Sequence, residues 1–298
     1  MKKLNRRDFV KSAAAITTSA KIFSGIQSPQ ASPLDTGLVE LADTGIKVSK
    51  IAMGTGFNGF GGQSNQTRLG KSEFKELIFH GYDQGLNFLD MADQYGSHHF
   101  MKEVLKDLPR EKLTILSKIW FSGGGGLEPT DRAIPSVNRF LRELEIDSLD
   151  ICLIHCVQNH AWPEELERMR DEMSELKEQG KIRAVGVSCH SYQALKAAVE
   201  SPWTDVIFAR INNKGQAMDR PDPEPVANLL TRARENGKAI VGMKIFGAGK
   251  LTAKNQRRAS IRYVWENNLV DAMTIGFEHK SHINDSIEML SEVFKKTA

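Results

Sequence analysis

From about residue 50 onward, short apolar runs alternate with longer amphipathic segments. The short runs are rich in β-branched residues, and most are bounded by Gly, Asp or Asn, which is typical of strands. The longer segments repeat apolar side chains at helical spacing, as Phe74, Leu77, Ile78 and Tyr82 do within Ser72–Gln84. Strand followed by helix, repeated eight times over about 250 residues, predicts an α/β fold of the (β/α)8 TIM barrel class.

The pattern also gives approximate bounds for each element. The predicted strands are residues 50–54, 87–90, 113–118, 149–155, 183–188, 205–211, 239–245 and 271–275. The predicted helices are residues 72–84, 133–144, 164–178, 191–200, 224–236, 256–268 and 281–294. Residues 38–48 are expected to form a short N-terminal β-hairpin. A doubly wound open sheet is the rival fold, but the Gly-rich tract 54–62 leads into polar loop residues instead of opening a helix.

The first 33 residues are interpreted as a leader, and residues 34–298 as the barrel. The run Arg6-Arg7-Asp8-Phe9-Val10-Lys11 resembles the twin-arginine export motif, and the apolar segment after it is too short to span a bilayer. The resemblance implies recognition by the twin-arginine export machinery and export of the folded protein to the periplasm. A basic N-terminal arm on a cytoplasmic protein is the alternative. No later run approaches ~18 apolar residues, so stable membrane insertion is not expected.

The charge balance gives no reason to expect nucleic-acid binding. The whole chain has a net charge of +3. Residues 1–33 carry six Lys or Arg residues and one Asp, which is +5, so the remainder carries −2.

The cysteines predict neither a disulfide framework nor a metal site. Cys152, Cys156 and Cys189 are an odd number, and none of them has C-x-x-C spacing.

Four polar residues fall at or just beyond the carboxyl ends of consecutive strands. Asp90 ends the second predicted strand, Tyr95 follows five residues later, Lys118 ends the third strand and His155 ends the fourth. Catalytic residues of a TIM barrel lie at this face, and consecutive strands are neighbours. We therefore expect these four side chains to meet in one catalytic site.

Their chemistry suits the reduction of a carbonyl group, which needs a proton at the oxygen when a hydride reaches the carbon. A phenol with an ordinary pKa of about 10 is a weak acid, and an adjacent ammonium lowers that pKa. Tyr95 is therefore the predicted acid, Lys118 the group that tunes it and Asp90 the anchor of Lys118. A neutral His155 would orient the carbonyl by a hydrogen bond.

The segment Leu89-Asp90-Met91-Ala92-Asp93-Gln94-Tyr95-Gly96 resembles the aldo-keto reductase signature, (Phe/Leu)-Asp-(Thr/Ser)-Ala-x-x-Tyr-Gly. Residues 44–49 and 53–56 are also similar to that family, and the resemblance extends over roughly residues 36–295. It implies a TIM barrel that binds NADP(H) across the carboxyl ends of its strands without a Rossmann motif. It implies as well that a small carbonyl compound is reduced.

The resemblance also implies which positions contact the cofactor. They are Gly54, Thr55, Asp90, Ser188, Lys244, Phe246, Gly247, Gly276, Lys280 and Asp285. The chain departs from the family pattern at Met91 and Cys189, and no Arg follows Lys280 at the usual distance. NAD(H) is therefore the alternative to NADP(H), with Lys280 expected to supply the positive charge.

Trp120 and Trp162 are the predicted lining of the substrate pocket, beside a loop with four glycines at residues 123–126. Two other functions remain open. One is a non-catalytic NADP(H)-binding redox sensor or partner subunit of the same fold, which would not need all four catalytic residues. The other is a metal-dependent barrel hydrolase using His155 and Asp90, which would need a further His or carboxylate at a strand end. No metal is predicted.

Overall fold

Eight parallel strands close into a barrel in the computed structural model, which describes residues 37–295. The barrel strands are β3 (Ile51–Gly54), β4 (Phe88–Asp90), β5 (Thr114–Ile119), β6 (Leu149–Val157), β7 (Ile182–Cys189), β8 (Val206–Arg210), β9 (Ala239–Met243) and β10 (Ala272–Gly276). Each strand pairs with the next in the chain, and β10 pairs with β3 to close the ring. The predicted TIM barrel is thereby confirmed.

Helices follow the strands and cover the outside of the barrel. They are α1 (Asn65–Arg68), α2 (Lys71–Asp83), α3 (His98–Leu105), α4 (Ile134–Leu144), α5 (Trp162–Glu165), α6 (Glu167–Glu178), α7 (Tyr192–Glu200), α8 (Glu224–Glu235), α9 (Lys254–Glu266) and α10 (Lys280–Lys295). Their apolar faces pack against the outward side chains of the strands in one continuous core. None of the helices within residues 37–295 is long and apolar enough to cross a membrane. The predicted leader lies outside these residues.

The structure differs from the sequence prediction at three places. The helix predicted over 164–178 is two helices, because Leu166 leaves the helical conformation between α5 and α6. The strand predicted over 239–245 ends at Met243, since Lys244 turns to a positive φ of 59°. Helices α1 and α3 were not predicted, because four and eight residues are too few to show a clear helical period.

The predicted N-terminal hairpin is present and covers the amino-terminal ends of the barrel strands. Its strands β1 (Val39–Glu40) and β2 (Lys47–Val48) are antiparallel. The Lys47 carbonyl accepts hydrogen bonds from Asn87 and Thr114, which lie where β4 and β5 begin. Leu41, Ile46 and Val48 are fully buried against the side chains that fill the barrel. The hairpin therefore closes the face opposite the carboxyl ends.

The start of α4 is held by a side chain from another helix. Glu172 of α6 accepts hydrogen bonds from the backbone nitrogens of Ala133, at 2.8 Å, and Ile134, at 2.9 Å. It also pairs with Arg132. The first backbone N–H groups of a helix have no partner within the helix, so this carboxylate satisfies them and complements the positive end of the helix dipole.

Candidate active site

The four predicted catalytic residues come together at the carboxyl-end face of the barrel. The Lys118 ammonium donates hydrogen bonds to Asp90 and, at 2.9 Å, to the Met91 carbonyl. The Tyr95 hydroxyl lies 3.2 Å from His155 Nε2, and Lys118 Nζ lies 5.0 Å from the centre of the Tyr95 ring. All four residues line one cavity of about 330 Å³.

The Tyr95 ring is positioned by glycines in the loop after β3. A Cβ atom on Gly56 or Gly59 would collide with the ring, so both positions require glycine for this packing. Gly96 follows with a φ of +66°, and a Cβ there would collide with the Gly62 carbonyl. Glycines are thus required in this tract because its backbone lies close to the Tyr95 ring and to Gly96. A phosphate-binding loop is not needed to explain them.

Asp90 is fixed by a residue that directly follows the first barrel strand and by one on the last strand. The Thr274 hydroxyl, on β10, donates a 2.7 Å hydrogen bond to Asp90 Oδ2. The Asp90 carbonyl accepts bonds from the Thr55 backbone nitrogen at 3.0 Å and from the Thr55 hydroxyl at 2.9 Å. Thr274 was not predicted from sequence, because only the closure of the barrel brings it to Asp90.

Burial dominates the electrostatics of the site. It raises the pKa of Tyr95 well above its ordinary value, and the negative charge of Asp90 adds to this effect. Burial lowers the pKa of Lys118, although Asp90 acts in the opposite direction. The pKa of Tyr95 is therefore not lowered as predicted, because burial is the largest influence on it and the charge of Asp90 acts in the same direction.

His155 is held as a neutral imidazole. Burial and then the charge of Lys118 lower its pKa well below the ordinary value. Its Nδ1 atom is buried and has no hydrogen-bond partner among the residues that the structure describes. A neutral ring with the proton on Nε2 can donate to an oxygen placed beside the Tyr95 hydroxyl.

The structure separates the predicted cofactor positions into two groups. The cavity is lined by Gly54, Asp90, Ser188, Lys244, Phe246 and Gly276. The others do not line it: Thr55 is bonded beneath Asp90, Lys280 is exposed and pairs with Glu76 at 3.0 Å, and Asp285 faces Lys254. Gly247 also lies outside the lining and packs against Gln216. Lys280 is therefore not placed to act in the cavity.

The two tryptophans have different positions. The Trp120 ring packs edge-on against His155, with 5.5 Å between ring centres, so it borders the catalytic residues. Trp162 is only 1% exposed and donates from its ring nitrogen to the Ala194 carbonyl. Its prediction as a pocket residue is wrong, because the first turn of α5 directs it into the core beside Trp203.

Several cavity residues were missed at the sequence level. They include Phe57, His190, Phe208 and Arg257. His190 directly follows strand β7, and this position at the carboxyl end of a strand could have indicated a cavity residue. Arg257 lies within α9, where sequence gives no sign that it turns towards the cavity. Within residues 37–295, no group of three or more His, Cys, Asp or Glu side chains could hold a metal ion.

A comparison with protein families matches residues 52–297 to the aldo/keto reductase family. The chain belongs to the aldo/keto reductase family. Among curated proteins it is 30% identical to aldo-keto reductase YhdN of Bacillus subtilis, over 52% of this chain and 47% of that protein. It is 25% identical to the NADH-specific methylglyoxal reductase of Escherichia coli, over 72% of this chain and 68% of that protein. The match thus spans about half the length of the first of these relatives.

Solved structures give the same fold. A putative aldo-keto reductase from Pseudomonas aeruginosa superposes with a TM-score of 0.73 over 90% of this chain and 99% of that chain. The two sequences are 24% identical, so the likeness concerns the barrel itself. The aldo/keto reductase signature and the four residues at the cavity therefore occur in the fold that the family uses.

Proposed function

We propose that this aldo/keto reductase reduces aldehydes or ketones to alcohols with NADPH, and that Tyr95 provides the proton. The observation that carries the proposal is the placement of the Tyr95 hydroxyl 3.2 Å from a neutral His155, on the wall of the cavity shared with Lys118 and Asp90. A carbonyl oxygen bound between phenol and imidazole would receive two hydrogen bonds, which polarise the C=O bond.

The cavity residues fit a nicotinamide dinucleotide. Arg257 provides positive charge for phosphates: its Nη2 atom lies 3.7 Å from Asp285 Oδ2, and its buried Nε atom has no hydrogen-bond partner within the described residues. Phe246 and Phe57 provide apolar surface, and the Ser188 hydroxyl provides a polar contact. A pocket with mostly apolar walls and a few placed polar groups is typical of cofactor sites.

Each catalytic side chain then has one task. When bound, the nicotinamide cofactor supplies the hydride that reduces the carbonyl carbon. His155 orients the carbonyl through its Nε2 proton, and the Tyr95 hydroxyl transfers its proton to the carbonyl oxygen. Lys118 stabilises the phenolate that this leaves, and Asp90 holds Lys118 in place through their hydrogen bond.

The proposal is tested by Tyr95→Phe, which removes the acidic hydroxyl and keeps the ring that packs on Gly56. We expect kcat with a generic aldehyde to fall by at least about 100-fold, while the Kd for NADPH stays within a factor of about two, because the ring packing is intact. Wild-type protein that binds NADPH without turning over any of a panel of aldehydes and ketones would instead support the redox-sensor alternative.

We infer that Arg257, and not Lys280, supplies the positive charge for the 2′-phosphate of NADPH. Arg257 lines the cavity, whereas Lys280 is turned outward to Glu76. A charge-assisted hydrogen bond to phosphate contributes about 1.5–3 kcal/mol, so Arg257→Met should lower kcat/KM for NADPH by roughly 10–100-fold. The values for NADH should change little, and Lys280→Met is the matched control. A larger loss in Lys280→Met than in Arg257→Met would contradict this assignment.

We propose as well that residues 1–33 direct export of the folded protein through the twin-arginine route. The support is the motif Arg6-Arg7-Asp8-Phe9-Val10-Lys11 alone. Replacing both arginines by lysine keeps the charge and should leave the protein in the cytoplasm, as measured by fractionation and by mass spectrometry of the N-terminus. Equal distribution of the wild type and the double variant would exclude this route.

A further inference from the structure

Two cations beside the catalytic residues have no carboxylate partner. Arg210 ends β8 and Lys244 follows β9, and both are half-buried. Neither forms an ion pair with any Asp or Glu of residues 37–295, and the Nε atom of Arg210 is buried without a hydrogen-bond partner there. By contrast, the third cation of this region, Lys118, is paired with Asp90. Removing unpaired charge from water is unfavourable unless a partner is supplied.

His190 lies between Arg210 and the cavity, whereas Lys244 lines the cavity directly. The His190 Nδ1 atom accepts a 2.7 Å hydrogen bond from Arg210 Nη2, which places the ring proton on Nε2. Burial, followed by the charges of Arg210 and Lys244, lowers the pKa of His190 to about 3. His190 is therefore a neutral N–H donor on the cavity wall, with Arg210 directly behind it.

The neighbouring thiol does not balance the positive charge. Cys156 Sγ lies 3.0 Å from His190 Nδ1. Burial raises the pKa of Cys156, although Arg210 and Lys244 act in the opposite direction. The protonated thiol is neutral near pH 7, so it leaves both cations uncompensated.

Arg210, Lys244 and His190 lie next to the position proposed for the reacting carbonyl. The rings of His190 and His155 are 6.4 Å apart between centres and nearly perpendicular. Lys244 and His190 line the same cavity as Tyr95 and His155. A molecule held by His155 can therefore place a second polar group against His190 and Lys244.

We propose that Arg210, Lys244 and His190 form an anion-binding subsite that recognises a carboxylate on the carbonyl substrate. This rests on the reductase function proposed above and narrows its substrates to carbonyl compounds with a carboxylate a few bonds from the carbonyl. Arg210 provides charge through His190, which donates from Nε2, and Lys244 provides the second charge. Paired cations of this kind are the usual protein partners of carboxylates.

The test compares matched acidic and neutral substrates. We expect the wild type to prefer succinic semialdehyde to butanal, and 4-carboxybenzaldehyde to 4-methylbenzaldehyde, by roughly 10–100-fold in kcat/KM. Arg210→Gln should abolish this preference while leaving kcat/KM for the neutral aldehydes and the Kd for NADPH within about threefold. Arg232→Gln, which removes an exposed charge from α8, is the control and should retain the preference.

Two kinetic results would overturn the subsite. One is equal use of acidic and neutral aldehydes by the wild type. The other is an Arg210→Gln variant that keeps the acid preference but binds NADPH more weakly, because the cations then serve the cofactor diphosphate. If no aldehyde is reduced, the proposed function fails, and calorimetric titration of the NADP+ complex with butyrate decides the subsite separately. Absent binding, or binding that Arg210→Gln does not weaken, would then exclude it.

Discussion

At the scale of single residues, Asp90 depends on a hydroxyl that does not itself belong to the proposed catalytic set. Thr274 donates to Asp90 Oδ2 at 2.7 Å, while Lys118 donates to the other oxygen. The carboxylate is thus oriented from both sides. Thr274 is a positioning residue, since it acts on Lys118 and Tyr95 only through Asp90.

Thr274→Val keeps the shape of the side chain and removes the hydroxyl. We expect kcat to fall by about tenfold, because a buried carboxylate oxygen loses a hydrogen bond of about 1.5 kcal/mol. KM should change less than kcat. Thr274→Ser restores the donor and should restore kcat, whereas equal losses in both variants would indicate a packing effect.

In the proposed mechanism, in which Tyr95 is the acid, its raised pKa sets the pH dependence of carbonyl reduction. Burial favours the protonated phenol, which is the form that donates, so activity should be lost only as pH rises through a value above the ordinary ~10. We therefore expect kcat/KM for reduction to stay level up to about pH 9. A descending limb centred near pH 8 that is insensitive to substrate would show that burial does not control Tyr95.

The sequence was sufficient to predict that the four proposed catalytic residues meet at one face of the barrel, because strand ends fix where Asp90, Lys118 and His155 must lie. It did not predict the direction of the Tyr95 pKa shift, since that depends on how much water the folded loop excludes. Arg257 and His190 were missed for a related reason. The backbone position of Arg257 or His190 does not decide whether its side chain reaches the cavity. That depends on the side-chain conformation, which the sequence does not give.

At the scale of secondary-structure elements, the α6 carboxylate that holds the start of α4 is the contact with the clearest energetic consequence. Glu172→Ala would leave the backbone nitrogens of Ala133 and Ile134 without their acceptor. We expect the free energy of unfolding to fall by about 2–3 kcal/mol. Glu178→Ala, an exposed position on the same helix, is the control and should change it by less than about 0.5 kcal/mol in a urea titration.

The larger elements were predictable because each has several turns or a full β-branched run. The small ones were not. Helix α1 has only four residues. In the sequence, its capping box shows only as Ser64 and Thr67 three residues apart, which is too little to predict a helix. The break at Leu166 between α5 and α6 also left no signal, because the apolar spacing continues through it. The sequence pattern thus predicts that a helix or strand exists. The residues at which it begins and ends depend more on tertiary contacts.

At the scale of the whole molecule, the hairpin makes residues 39–48 part of the barrel core. Ile46 is fully buried there, whereas Leu38, just before the hairpin, is 52% exposed. Ile46→Ala should lower the free energy of unfolding by about 2–4 kcal/mol, since a cavity opens beneath the barrel. Leu38→Ala should have little effect. Similar losses in thermal unfolding for both variants would show that the hairpin does not seal the barrel.

The closed barrel also has a consequence in time. Thr274 lies 184 positions after Asp90, so a ribosome adding about 5–20 residues per second needs roughly 10–40 s between them. Once His155 has been added, the growing chain contains all four proposed catalytic residues, Asp90, Tyr95, Lys118 and His155, but the strand that completes their surroundings has not been made. An incomplete chain therefore carries the catalytic residues without a working site, and activity begins only once synthesis has passed β10.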